Sequence, residues 1–237
     1  MLRRSLAEFF GTAFLVAAVV GSGIAAQRLS PGNVGLQLLE NAAVTGGALV
    51  AIILALGPVS GAHLNPLISL ADLVLGGIRS SEAGRYLLAQ VTGGIAGAVV
   101  ANLMFDLPAV TLASRSRSSG GHWLGEIVAT LGLLVVVFGL ARSQRASSTP
   151  LAVGAYIFAA YFFTSSTSFA NPAVTISRMF SNTFSGIRPS SVPAFIGFQT
   201  LGAALAVVAI RFLYPDIRSK AQDVLLPHGS PTGPEVS

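Results

Sequence analysis

The sequence predicts an all-α membrane protein in which six transmembrane helices and two re-entrant half-helices form an inverted repeat. The first observation is compositional, because 52% of the 237 residues are hydrophobic, only 10% are charged and the mean hydropathy is +0.72. An ordinary soluble domain carries about 25% charged residues. The second is a pair of Asn-Pro dipeptides, Asn65-Pro66 and Asn171-Pro172, each beside a hydrophobic segment. The third is that the segments around the two dipeptides follow the same order.

Charge and cysteine content exclude several classes of function. The net charge of +5 comes from 14 basic residues against 9 acidic ones. The basic residues are scattered singly through predicted loops and helix ends, which is typical of membrane anchoring and orientation, so we expect no nucleic-acid partner. The sequence has no cysteine, which excludes disulfides and thiolate metal sites, and we expect neither a metal nor another cofactor.

The first half contains three hydrophobic runs of spanning length and one shorter helix. The first run, 6–26, follows a basic N-terminus and could be a signal peptide, but its length and its later repetition favour a transmembrane helix. A second run covers 36–56 and a third covers 82–105. Between them, a helix from 65 to about 76 reaches roughly 18 Å at 1.5 Å per residue, which is about half of a bilayer.

The second half repeats this plan after a polar connection rich in Ser and Gly, at 106–121. Spanning runs cover 123–141, 150–163 and 190–213, and a second half-length helix runs from 171 to about 182. We therefore predict one domain made of two repeats, followed by a disordered polar tail. The predicted bounds are 1–213 for the domain, about 5–105 and 123–213 for the repeats, and 214–237 for the tail.

The two repeats are predicted to be inverted relative to each other. Each opens with an intramembrane carboxylate, Glu8 or Glu126, and each contains three spans. Because three is an odd number, the second repeat enters the membrane from the opposite side, and the interrupted helices meet near the midplane. Irregular backbone is tolerated at that depth where it lines a water-filled cavity, so the arrangement favours a pore or a transport site.

Each Asn-Pro dipeptide predicts the start of a helix. Asn is a strong N-cap, and proline fits the first helical position because its missing N–H would be unbonded there. When the Asn oxygen caps the helix, the NH₂ group remains free to donate, and each helix start carries a partial positive charge of about +0.5. Two such starts meeting inside a membrane favour a neutral solute rich in oxygen and disfavour a cation.

The basic residues predict the orientation of the chain. With the N-terminus in the cytoplasm, nine of them fall on the cytoplasmic side and five on the other, in agreement with the positive-inside rule. We expect a multi-pass protein of the cell (inner or plasma) membrane with both termini cytoplasmic. The nine are Arg3, Arg4, Arg79, Arg85, Arg142, Arg145, Arg211, Arg218 and Lys220, and the five are Arg28, Arg115, Arg117, Arg178 and Arg188.

On these residues the chain resembles the aquaporin (major intrinsic protein) family. The resemblance covers about 5–213 and depends on the motifs Asn65-Pro66-Leu67 and Asn171-Pro172-Ala173, each in a half that opens with an intramembrane Glu. It implies six tilted helices and two half-helices around one pore per subunit. It also implies a homotetramer in the lipid bilayer and passive flow of water or small neutral solutes through each pore.

The resemblance further implies roles for residues around the pore. Glu8 and Glu126 are expected to accept hydrogen bonds from the re-entrant loops, with proton relay as the alternative. His63 is expected either to make a fixed hydrogen bond in the loop or to face the pore and respond to pH. Arg178 lies four residues beyond Val174, on the same helix face and about 6 Å further out. It is expected either to place a positive charge in the outer vestibule, or to snorkel at a helix end or pair with a loop carbonyl.

Departures from the family pattern bear on selectivity. The first motif ends in Leu67, and Val174 follows the second motif where the family normally has the arginine of its outer selectivity filter. Counting from the motifs places the other filter positions at Thr45, Ala159 and Ser168. All four filter residues are small to medium, uncharged and non-aromatic, so we expect a wide outer constriction without arginine.

The expected function is a broad, aquaglyceroporin-like passive channel. The expected solutes are water, glycerol, urea and uncharged metalloid acids such as arsenous acid, and a wide filter would extend them to larger methylated metalloid acids. A water-selective channel, an ion-coupled secondary transporter and a closed protein that serves only adhesion or assembly are the alternatives. No catalytic residue is expected, because no nucleophile–base set is visible and His63, His122 and His228 are far apart in the sequence.

Overall fold

The computed structural model describes residues 2–215, and within them it consists of helices and connecting loops. Six helical segments are long and apolar enough to cross a membrane, which together with two short interior helices confirms the predicted fold class. The predicted tail lies outside the described residues from 216 onward, as do Arg218, Lys220 and His228. The eight α-helices are α1 Leu2–Leu29, α2 Val34–Ser60, α3 Pro66–Leu75, α4 Ser80–Met104, α5 Gly120–Arg142, α6 Thr149–Phe163, α7 Pro172–Ser177 and α8 Val192–Leu213.

The helices of the two halves have equivalent neighbours. Helix α1 packs against α2 and α4, and α5 packs against α6 and α8 in the same way. Helices α2 and α6 join the halves, and the half-helices α3 and α7 contact each other in the interior. This pattern of contacts is what two inverted repeats produce when they share one core.

Glycine allows a close helix approach in each half. A Cβ atom at Gly93 in α4 would collide with the backbone carbonyl of Phe9 in α1, and one at Gly202 in α8 would lie 2.6 Å from the carbonyl oxygen of Ile127 in α5. Small residues at such crossings let helices pack tightly where lipid supplies no hydrophobic driving force. These two crossings fix the position of the carboxylates on α1 and α5 relative to the loops that they hold.

The two half-helices differ in length. Helix α3 ends at Leu75, close to the predicted end, whereas α7 ends at Ser177 and continues as a 3₁₀ turn over Arg178–Phe180. The second half-helix is therefore shorter than the predicted 171–182. The change from α-helix to 3₁₀ turn occurs at Arg178, whose side chain is directed toward the centre of the molecule.

Candidate functional site: the central cavity

The half-helices meet end to end through the side chains of Asn65 and Asn171. Each Oδ1 atom caps its own helix, and each Nδ2 atom donates to a backbone carbonyl in the re-entrant loop of the other half. The amide groups are thus less free than the sequence predicts, because one N–H of each is used across the junction. The capping bonds are Leu67 N to Asn65 Oδ1 (2.9 Å) and Ala173 N to Asn171 Oδ1 (2.9 Å), and the crossing bonds are Asn65 Nδ2 to Ala170 O (2.8 Å) and Asn171 Nδ2 to Leu64 O (2.7 Å).

Two fully buried carboxylates, Glu8 and Glu126, hold the re-entrant loops from behind. Each accepts two backbone N–H groups from its own loop and one side-chain N–H from a glutamine on the last helix of its half. Neither carboxylate lines the cavity. The bonds to Glu8 come from His63 N (3.0 Å), Leu64 N (2.7 Å) and Gln90 Nε2 (2.7 Å), and those to Glu126 come from Phe169 N (3.0 Å), Ala170 N (2.9 Å) and Gln199 Nε2 (2.5 Å).

Both loops contain non-glycine residues in the left-handed region, at matching positions. The φ angles are 45° at Ala62, 52° at Leu64, 49° at Ser168 and 49° at Ala170. Such conformations cost about 1–3 kcal/mol each and persist where the surroundings over-determine them. Here the carboxylates bind the N–H groups of Leu64 and Ala170, whose carbonyl oxygens accept from the opposite asparagines. No sequence signal indicates this strain, since none of the four residues is glycine or asparagine.

A narrow cavity of about 50 Å³ lies along this junction. One water needs roughly 10–15 Å³ of such space, so the cavity has room for a short file of waters. Most of its wall is apolar, from Leu15, Val19, Leu49, Ile53 and their neighbours on α1, α2, α5 and α6. Its polar lining consists of Thr45, His63, Asn65, Tyr161, Ser168, Asn171 and Arg178.

The other motif residues support the junction without lining the cavity. Pro66 and Leu67 are buried at the start of α3, and Pro172 and Ala173 at the start of α7. The change from alanine to Leu67 in the first motif therefore falls in the packed core of the fold.

Three of the four predicted filter residues, Thr45, Ser168 and Val174, line the cavity, whereas Ala159 lies exposed on the outer face of α6. Tyr161, two residues further along α6, lines the cavity instead, with its hydroxyl 3.2 Å from Thr45 Oγ1. Residues two positions apart on an α-helix are rotated by about 200° relative to each other. An error of two in the count therefore moves a residue to the opposite face of the helix.

Arg178 also lines the cavity, although the prediction of a wide constriction without arginine did not include it. The side chain is 1% exposed, and its guanidinium carbon lies 3.5 Å from the centre of the Phe169 ring. Nε donates to Ser185 O at 2.5 Å, whereas Nη2 is buried with no hydrogen-bond partner among residues 2–215. The guanidinium therefore reaches the cavity from four residues beyond Val174, rather than extending outward to a membrane surface.

Arg117 is a buried residue that the sequence analysis missed. It belongs to the polar connection between α4 and α5, yet it is only 5% exposed. Nε donates to Gly186 O (3.1 Å) and Nη1 to Ser166 O (3.2 Å), and its guanidinium carbon lies 4.9 Å from the Phe169 ring centre. Burial and the nearby guanidinium of Arg178 lower the pKa of Arg117 to about 9. No local pattern distinguishes it from the exposed Arg115.

His63 is both fixed by hydrogen bonding and exposed to the cavity. Nδ1 lies 3.0 Å from Ser69 Oγ, Nε2 lies 3.7 Å from Asp72 Oδ2, and the imidazole meets the Tyr86 ring edge-on at 5.3 Å. The same side chain lines the cavity beside Asn65. The two expectations for His63 are therefore compatible, because its ring is held on one side and faces the cavity on the other.

Comparisons with known proteins agree with this fold. The family model described as "Major intrinsic protein" matches residues 1–170. Aquaglyceroporin AqpS of Rhizobium meliloti (strain 1021) is 46% identical over 218 residues, which are 92% of this chain and 93% of that protein. Aquaporin Z of Brucella melitensis biotype 1 is 34% identical over 167 residues, covering 65% of this chain and 72% of that protein.

A solved structure has the same fold at lower sequence identity. The X-ray structure of the aquaglyceroporin from Plasmodium falciparum matches with a TM-score of 0.71, covering 91% of this chain and 98% of that one. Its identity to this chain is 19%, so the match supports the arrangement of the helices alone.

Proposed function

Because this chain belongs to the major intrinsic protein (aquaporin) family and is a passive channel for water and small solutes, we propose that its cavity conducts neutral, hydroxyl-rich solutes of glycerol size together with water. The observation that carries the proposal is the mixed lining of the cavity. Hydroxyl groups of Thr45, Tyr161 and Ser168 and amide donors of Asn65 and Asn171 share it with aliphatic side chains. The hydroxyl groups of a polyol can hydrogen-bond to these polar groups, and its C–H groups can contact the aliphatic side chains.

The charges around the cavity favour neutral solutes over cations. Helices α3 and α7 direct their positive N-terminal ends at the junction. The Arg178 guanidinium adds a full positive charge to the lining. A cation entering the cavity would lose hydration and meet these charges, whereas a neutral solute exchanges its hydrogen bonds to water for those of the lining.

Urea and arsenous acid belong to the same proposed class, since both are small, neutral and able to hydrogen-bond on several sides. The larger methylated metalloid acids were expected from a ring without aromatic or basic side chains. Tyr161 and Arg178 also line the cavity, so the proposal is limited to solutes of about glycerol size.

The proposed assembly is a homotetramer in a cell membrane, formed by one channel domain over 1–213 with both termini cytoplasmic. The support comes from the family resemblance, from the excess of arginines on the predicted cytoplasmic side and from the exposed apolar side chains on the outer surface of the helices. These include Phe14, Leu54, Leu88, Leu124 and Val208. In this orientation the end of the cavity at Arg178 faces outward.

A water-selective channel is the second candidate, and a specific observation favours it. The aromatic ring of Tyr161 and the guanidinium of Arg178 both line the narrow cavity. Both reduce the space for the carbon backbone of a polyol. The two candidates differ in a single quantity, which is the ratio of glycerol permeability to water permeability.

Stopped-flow light scattering on proteoliposomes tests the proposal. The purified protein is reconstituted, and water flux is measured under a gradient of an impermeant solute. Glycerol, urea and arsenous acid are each imposed as a solute gradient in turn, with empty liposomes as the control. We expect all four to cross faster than in empty liposomes and without an ion gradient. Water flux alone supports the water-selective candidate, and flux that requires a sodium or proton gradient identifies a coupled transporter.

The variant Val174→Arg tests the constriction in the same assay. A second guanidinium at this position would fill the space beside Arg178, so glycerol permeability should fall at least about tenfold while water permeability changes little. An equal loss of both would count against the placement of the constriction at Val174.

A further inference from the structure

The unpartnered Nη2 atom of Arg178 indicates that the cavity accommodates a ligand which the described residues do not supply. The side chain is 1% exposed and lines the cavity, and Nη2 is buried with no hydrogen-bond partner in the described part of the chain. Buried charged groups are normally paired, because a guanidinium left unpaired loses the hydration that stabilises it. An acceptor that enters the cavity would satisfy this unused N–H donor.

A second unsatisfied group lies at the same end of the cavity. Ser168 Oγ is buried without a partner and lines the cavity together with Arg178. The Tyr161 hydroxyl interacts with the Arg178 guanidinium and also lies 3.2 Å from Thr45 Oγ1. A guanidinium with hydroxyls around it matches a small acceptor that has two oxygens in one plane.

In the described part of the chain, no carboxylate lines the cavity beside Arg178. The ion pairs of Arg4 with Glu82 and of His63 with Asp72 involve other parts of the molecule. Glu126, in the same half, attracts the guanidinium groups of Arg178 and Arg117 electrostatically, but it does not line the cavity and its oxygens accept N–H groups of the loop. Arg117 brings a second guanidinium to the Phe169 ring. The local charge is therefore positive, and an anion would reduce it.

We propose that the end of the cavity at Arg178 is a binding site for a small monovalent carboxylate, held by Arg178 Nη2 with Ser168 and Tyr161 as hydroxyl partners. The inference rests on the proposed function in one respect, because it places this site within the conducting path. A carboxylate bound there fills part of a file that has room for only a few waters, so it blocks water flux. The narrowness of the cavity limits the ligand to anions of about formate or acetate size.

The test measures water permeability of proteoliposomes at pH 7.5 with sodium formate equilibrated on both sides, so that formate itself has no gradient. At this pH the carboxylic acid, with a pKa near 3.7, is ionised. Sodium gluconate at equal concentration is the control, because it carries the same carboxylate on a chain too large for the cavity. We expect formate to lower water permeability saturably, by at least about twofold, and gluconate to leave it unchanged.

Two arginine variants localise the effect. Arg178→Gln removes the charge and should raise the formate concentration for half-maximal block at least about tenfold, as expected for loss of a charged hydrogen bond. Arg115→Gln is the matched control, since Arg115 is exposed at the same end and does not line the cavity, and it should be blocked like the wild type. Arg178→Gln channels that remain as sensitive to formate as the wild type would overturn the site.

Ser168→Ala provides a second variant that does not depend on the folding of Arg178→Gln. It removes one hydroxyl from the site and should raise the half-blocking concentration by about threefold to tenfold. Wild-type channels that conduct water and glycerol but show no formate effect would refute the carboxylate site and leave the proposed function standing. Absence of any solute or water flux would refute both.

Discussion

The two halves of the molecule use the same backbone scaffold and place different ionisable side chains on it. In each half a buried carboxylate binds two N–H groups of a loop, an asparagine caps a half-helix, and a glutamine braces the carboxylate. Two residues before the asparagine stand His63 and Phe169, and seven residues after it stand Asp72 and Arg178. The repeat therefore keeps the hydrogen-bond framework and varies the side chains at the ends of the cavity.

The substituted residues occupy similar places in the two halves. The His63 ring meets Tyr86 edge-on at 5.3 Å, and the Phe169 ring meets Phe195 edge-on at 5.1 Å. Asp72 does not line the cavity and interacts with it through His63, whereas Arg178 lies over Phe169 and lines the cavity itself. The two ends of the pore thus differ in charge and in how directly that charge meets a solute.

The largest expected effect comes from breaking the framework that the halves share. Glu8→Ala and Glu126→Ala each leave two buried backbone N–H groups without an acceptor, at about 1–3 kcal/mol per group. Each variant should lose about 2–6 kcal/mol of unfolding free energy together with most water flux. Thermal unfolding in detergent and the liposome assay measure these losses.

Glutamine at the same positions sharpens the test. Glu8→Gln and Glu126→Gln keep one acceptor oxygen and should be destabilised less than the alanine variants. Equal losses for Ala and Gln would mean that the negative charge, rather than the acceptor oxygens, holds the loops.

Next in size is the loss of charge at one end only. Arg178→Gln removes the guanidinium from the cavity lining, so the barrier to cations and protons should fall and proton leak should rise at least about tenfold. Asp72→Asn, at the equivalent position of the first half, lies behind His63 and should change the leak by less than about twofold. A pH-sensitive dye trapped in the liposomes measures both rates, and equal leaks would contradict the asymmetry between the ends.

The sequence predicts the fold better than it predicts the cavity lining, for physical reasons. Runs of spanning length and the Asn-Pro dipeptides are local signals, so the helices, the half-helices and both caps follow from them. Ala159 was misplaced because the rotation of α6 depends on its packing against α2 and α5, which a count along the chain does not contain. The inward position of Arg178 depends on a carbonyl of Ser185 in the following loop, and that of Arg117 on carbonyls of two other segments.

A moderate effect is expected at the helix crossings, where the halves again correspond. Gly93→Ala and Gly202→Ala each force a methyl group against backbone of the neighbouring helix, and overpacking of this kind costs about 1–3 kcal/mol. Gly197→Ala in α8 meets nothing within 4 Å and should be neutral or stabilising by up to about 1 kcal/mol. Thermal unfolding ranks the three variants, and a destabilised Gly197→Ala would remove the steric explanation.

The smallest expected effect concerns a hydroxyl that belongs to the Arg178 end alone. The Tyr161 hydroxyl lies 3.2 Å from Thr45 Oγ1 in the lining, and Tyr161→Phe removes it while keeping the ring that limits the width of the cavity. A polyol loses one of its hydrogen-bonding sites there, so glycerol permeability should fall about threefold to tenfold. Water permeability should change by less than about twofold, since a water molecule in file keeps its neighbours as partners. If both permeabilities rose together, Tyr161 would act in the wild type as a steric barrier rather than as a polar contact.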